Sequence, residues 1–194
     1  MMFSSRRTAL RVFFFRAHKG GPMPERNDIL GSTTTTDENR MTREELETFL
    51  SEPHIARLAT NRPDGYPHVT PVWQIWDGRV MSFVLGERRI HISNLRRDPR
   101  ATIIVDEDWR PRTKQYAAGA AAVIMRGTVD VVDLKASVEP LQDIFVQHAV
   151  KFLDGAEGDT EYWATETGER YHFCQLTPVT TVSWDFRKFH GSHE

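Results

Sequence analysis

Residues Ile55–Pro99 read IARLATNRPDGYPHVTPVWQIWDGRVMSFVLGERRIHISNLRRDP, and this block decides the fold class. Ile55–Thr60 is small or apolar at every second position and at most positions between, which reads as a strand buried on both faces. Pro63-Asp64-Gly65 is a turn signal. Pro67–Trp76 reads as a second strand interrupted at Pro71; proline cannot donate to a ladder, so a bulge or a sheet edge is expected there. Asp77-Gly78 is a hairpin signal that leads into a third strand, Arg79–Leu85. Glu87–Arg97 reads as a short helix that Asp98-Pro99 ends.

The flanks continue the pattern. Thr42-Arg43-Glu44-Glu45 is a capping box, followed by Leu46, Phe49 and Leu50 at helical spacing and by Pro53 as a stop. Ala101–Asp106 reads as a strand, Trp109–Gly119 as a polar, basic loop, and Ala121–Val132 as a long strand kinked at Gly127. Leu134–Leu153 is mostly helical, with Pro140 breaking an early turn or starting the main helix. Tyr171–Leu176 and Val179–Phe186 read as two closing strands separated by Thr177-Pro178. About six antiparallel strands with a few peripheral helices around one core predict a mainly β barrel.

The chain has 194 residues, 39% hydrophobic and 27% charged, which suits one soluble globular domain. A formal net charge of −2 excludes a global basic field of the kind that gathers nucleic acid. The single cysteine, Cys174, excludes an internal disulfide and points to a cytoplasmic setting. No apolar run approaches the ~20 residues of a membrane span. The first 24 residues carry Arg6, Arg7, Arg11, Arg16 and Lys19 and no acid until Glu25. They read either as an organelle transit peptide or as an extension upstream of the true start at Met23 or Met41. Residues 1–40 are therefore expected to be a disordered or mis-assigned extension, and residues 41–190 the folded domain.

Two segments can carry chemistry. In Gly86–Arg97, Arg88, Arg89 and His91 stand where the third strand meets a helix start; free amides and arginine forks there suit a phosphate, though an arginine-rich helix also serves as a plain solvated face. In Pro67–Trp73, two prolines leave backbone groups that a neighbouring strand cannot use, which suits a ligand with amide-like edges. Trp73 and Trp76 either stack on such a ligand or belong to the core. The histidines are scattered without a metal-ligand spacing, and no nucleophile elbow is present, so neither a metal site nor a hydrolase is expected. Cys174, inside FCQL, reads as inert core.

The order Arg57-Leu58-Ala59-Thr60, Asp64-Gly65-Tyr66-Pro67-His68, Pro71-Val72-Trp73, Asp77-Gly78 and Asn94–Arg100 resembles the pyridoxamine 5′-phosphate oxidase-like superfamily. Within it the chain is most similar to the flavin/deazaflavin oxidoreductases, many of which use coenzyme F420. Arg126-Gly127-Thr128-Val129, Thr177-Pro178 and Ser183–Lys188 fit as well. The resemblance implies a six-stranded split β-barrel that forms a homodimer, with FMN or F420 held at the interface. Carried over, it implies cofactor contacts at Arg57, at Val72, Trp73 and Gln74, at Ser82, Phe83 and Val84, at Arg88, Arg89, His91 and Asn94, and at Trp184 and Arg187 near a site shared between subunits. It implies hydride transfer between the cofactor and a small organic substrate. No residue stands out as the proton donor; Tyr66, His68 and Tyr116 are the candidates. A flavin or heme carrier without catalysis, or a barrel with a degenerate site, are the alternatives on the same fold. His91 stands where the family usually has lysine or arginine. With an ordinary pKa near ~6.5 it would be partly charged at neutral pH, so affinity is expected to fall as pH rises from about 6 to 8.

Overall fold

The computed structural model describes residues 36–107, 121–132, 139–153 and 171–190. Residues 1–35 of the expected extension, the basic loop 109–119 with Tyr116, and residues 134–138 of the expected third helix lie outside them.

The capping box forms as read: the Thr42 side chain accepts from the Glu45 N–H at 3.2 Å, and the Glu45 carboxylate accepts from the Thr42 N–H at 2.6 Å. It starts α1 (Arg43–Ser51), which buries Leu46, Phe49 and Leu50. Then come β1 (Ala56–Asn61), β2 (Pro67–Val72), β3 (Ile75–Trp76), β4 (Met81–Gly86), α2 (Ile90–Arg97), β5 (Arg100–Asp106), β6 (Ala121–Val132), α3 (Glu139–Phe152) and β7 (Tyr171–Asp185). A 3₁₀ turn, Phe186–His190, follows.

The strands form one curled antiparallel sheet of seven, a half-barrel in the order β2-β1-β5-β6-β7-β4-β3. Pro71 is resolved as an edge position: β2 ends the sheet, and its register with β1 runs unbroken from Ala56↔Val72 to Asn61↔Pro67. β1 buries one face fully and the other only in part, so it is not the doubly buried strand the sequence suggests. Gly78 takes φ +89°, a left-handed backbone that closes the β3–β4 hairpin and that side chains resist.

The closing segment is one strand of 15 residues, not two. The register along β6 pairs Arg126 with Thr180 and Gly127 with Pro178, which leaves Val179 as the extra residue of a bulge. The bulge absorbs the missing proline donor, so the strand runs through Thr177-Pro178. Gly127 makes this possible: a Cβ there would overlap the Thr177 carbonyl oxygen. Val179, pushed out, is 63% exposed.

Leu58, Phe83, Ile103, Met125 and Leu176 fill the hollow of the sheet, and Leu50 of α1 and Ile92 of α2 close it. Each such side chain contributes about 1.5–3 kcal/mol on leaving water. Among the described residues no helix is long and apolar enough to cross a membrane.

Candidate functional site

The two ends of the sheet frame the site. Among the described residues β2 has a strand partner on one side only, and β3 pairs with just Met81 and Ser82 of β4. The last half of β4 therefore lacks a partner on that side among the described residues. A cavity of about 350 Å³ opens along this seam. Thr70, Pro71, Val72 and Trp73 form one wall, and Val84, Leu85 and Gly86 of β4 form another. Tyr171, paired with Gly86, and His148 of α3 complete the enclosure. Arg89 and His91 stand at the α2 end.

This end is cationic and underused. Arg89 is the N-cap residue of α2, and among the described residues no side chain caps the helix; the Ile92 N–H donates to the Arg89 carbonyl at 3.1 Å, which leaves the Ile90 and His91 amides and the positive end of the helix dipole facing the site. Other arginines are neutralised close by: Arg62 by Asp64 at 2.8 Å, Arg100 by Asp98 at 2.8 Å, Arg187 by Asp185 at 2.7 Å, and Arg57 by Asp106. No such ion pair engages Arg89 among the described residues.

His91 is buried, and neither ring nitrogen has a partner among the described residues. The His68 ring lies 5.9 Å from it. Burial, then the charges of His68 and Arg89, push its pKa down to about 4. The imidazole is thus neutral at pH 7, where the bare sequence had suggested partial charge. It faces the site as a neutral N–H donor with a free acceptor on the same ring.

Of the residues singled out by resemblance, the cavity brings together Val72, Trp73, Val84, Arg89 and His91. The others lie elsewhere. The Gln74 side chain is fully buried and donates to the Leu50 carbonyl at 3.3 Å. Phe83 points into the core, as alternation with Val84 requires. Ser82 lies deeper along β4, where its hydroxyl accepts from the Gln175 amide at 3.4 Å. Asn94 donates to the Thr60 hydroxyl at 3.1 Å and ties α2 to β1. Arg88 is exposed beside the mouth. Arg57 is held by Asp106 on the sheet. Trp184 and Arg187 sit near the far end of β7 from Tyr171, and Arg187 is held by Asp185 and Glu107.

Trp73 lines the cavity with its ring already stacked on Phe152, centroids 5.2 Å apart. Trp76 packs against the core. The sequence reading missed His148 and Tyr171 as wall residues. For His148 the signal was its spacing: His148 and Phe152 lie four apart on one helix face, with Lys151 beside them.

Known proteins settle the ancestry. The pyridoxamine 5′-phosphate oxidase family matches residues 42–171. The chain belongs to that family. A conserved hypothetical protein from Mycobacterium tuberculosis has a similar structure, with a TM-score of 0.67 and 23% identity over 84% of this chain and 96% of that one. An F420 reductase superposes with a TM-score of 0.50 and 22% identity over 70% of this chain and 94% of its own. HutZ, the heme storage protein from Vibrio cholerae, gives 0.55 and 18% over 72% and 93%. At these identities the likeness is one of fold, and the family's split barrel agrees with the curled sheet described above.

Proposed function

We propose that this family member is an oxidoreductase that binds a flavin-type cofactor, coenzyme F420 or FMN, in the seam cavity and transfers a hydride between it and a small organic substrate. The observation that carries this reading is the cationic end of the cavity: among the described residues, Arg89 has no carboxylate partner, neither His91 nitrogen has a partner, and no side chain caps α2. Such an end suits the phosphate of a cofactor, and the apolar walls suit a planar ring. A flavin or deazaflavin, when bound, supplies the hydride chemistry.

The chain's own residues bind, orient and exclude water. The Arg89 fork engages phosphate oxygens, and the neutral His91 ring adds an N–H donor. The backbone of β2 and of the end of β4, without a strand partner on one side among the described residues, offers hydrogen bonds to the amide-like edge of a ring. Trp73, braced by Phe152, closes the cavity against solvent. Tyr66 is 73% exposed at its turn, and His68 lies against His91 at the phosphate end, so neither is placed beside the ring as a proton donor.

The reading includes a cytoplasmic homodimer. Trp184 and Arg187 are outside the cavity of their own subunit, and in a dimer they are the residues assigned to the partner's site. The exposed Tyr66 and Val69 of the β2 edge suit such an interface.

The absorption spectrum of the purified protein, followed by titration with F420 and FMN, tests the reading. Yellow flavin bands, or a colourless protein that binds added F420, support it; uptake of neither overturns it. One observation favours a heme carrier as the second reading: both His91 and His148 line the cavity with nitrogens that have no partner among the described residues. A Soret band would select it.

A further inference from the structure

The α3 wall holds a residue to which the flavin-type reading gives no role. His148 is 3% exposed and lines the cavity, and its Nε2 has no partner among the described residues. Its ring is fixed by aromatic packing, edge-on to Trp73 at 5.9 Å and to Phe152 at 6.2 Å. The helix that carries it is itself anchored: Lys151 donates to the Leu50 carbonyl at 2.6 Å and to the Gln74 carbonyl at 3.1 Å. Burial, with help from the Lys151 charge, pushes the His148 pKa down to about 4. A neutral ring can either donate or accept at Nε2, depending on its tautomer. A phenyl ring would meet the packing needs of this position equally well. The unpartnered nitrogen is the one feature that packing leaves unexplained, and buried polar atoms ordinarily find a partner.

We propose that His148 is a recognition residue of the cavity, its Nε2 hydrogen-bonded to a heteroatom of the bound heterocycle. This rests on the reading of the cavity as a cofactor site. His91 and Arg89 then select the phosphate, and His148 selects the ring.

Fluorescence titration of the full-length protein with FMN and with F420, alongside thermal melts, tests it on wild type, His148→Phe, His148→Gln and Arg89→Ala. His148→Phe keeps the ring packing and removes the hydrogen bond. It is expected to weaken binding of the preferred cofactor about tenfold while leaving the melting temperature equal or higher, since a buried unpartnered nitrogen is removed. His148→Gln, which restores a polar group, is expected to bind within about threefold of wild type. Weaker binding with no loss of stability is what a purely structural histidine would not produce. The proposal is overturned if His148→Phe binds as wild type does, or if both His148 variants lose stability and affinity together. Wild type that takes up neither cofactor overturns the cofactor reading and this inference with it. Wild type that binds, is weakened by Arg89→Ala and is indifferent to His148→Phe overturns this inference alone.

Discussion

At the residue scale, the α2 end of the cavity turns on two side chains of different character. Arg89 is a permanent cation, and charge-assisted hydrogen bonds contribute about 1.5–3 kcal/mol, so Arg89→Ala is expected to weaken cofactor binding by roughly ten- to a hundredfold in a direct titration. His91 is neutral until pH falls towards about 4. A bound phosphate raises that pKa, so protonation and binding favour each other, and the gain lies on the acid side of neutrality rather than between pH 6 and 8. The ratio of dissociation constants, His91→Gln over wild type, is expected to be flat from pH 7 to 8 and to grow as pH falls towards 5. Comparing the variant with wild type at each pH cancels titration of the cofactor's own phosphate. A ratio that changes mainly above pH 7 would sink this account. The place of Arg89 and His91 at a helix start was legible in the sequence, since strand, glycine and helix follow one another there. The charge state of His91 was not, because burial and His68, which sits on β2, set it.

At the element scale, α3 and the β6–β7 bulge carry the expectations. Lys151→Met removes both donations from α3 to buried carbonyls, so it is expected to cost about 1–3 kcal/mol and several degrees of melting temperature. Gly127→Ala places a Cβ against the Thr177-Pro178 backbone, which cannot give way as a side-chain end can. It is expected to cost about 1–3 kcal/mol, read as a lowered midpoint in urea. A midpoint equal to wild type would show that the bulge is slack. His91 and His148 both have pKa values lowered in the fold from 6.5 to about 4. The unfolded chain therefore binds more protons between those values, and the stability they confer, complete above pH 6.5, is lost as pH falls towards 4. His148→Phe should flatten part of that decline in pH-dependent melts. That Gly127 marks an irregular point was legible from its place in a long apolar strand, although the irregularity is a register shift against β7. That Thr177-Pro178 continues a strand was not, because the accommodating glycine lies about 50 residues earlier in the chain and only pairing brings the two together.

At the scale of the whole molecule, the proposed homodimer predicts a mass in light scattering of twice the 22.4 kDa chain. Val69→Glu on the exposed β2 edge is expected to shift it to the single-chain value, and an unchanged dimer would move the interface elsewhere. The sequence by itself determined the mainly β class, the hairpins at Asp64-Gly65 and Asp77-Gly78, the capped first helix and the arginine-rich start of α2. These are local matters, decided by proline, glycine, capping residues and the period of apolar side chains. Only the tertiary structure decided that β2 and β4 meet across an open seam, that α3 supplies His148 to the cavity, and which of the neighbouring Gln74, Phe83 and Val84 face it. Those depend on how the sheet curls and on which side of each strand the core claims, and both are set by pairings between residues far apart in the chain.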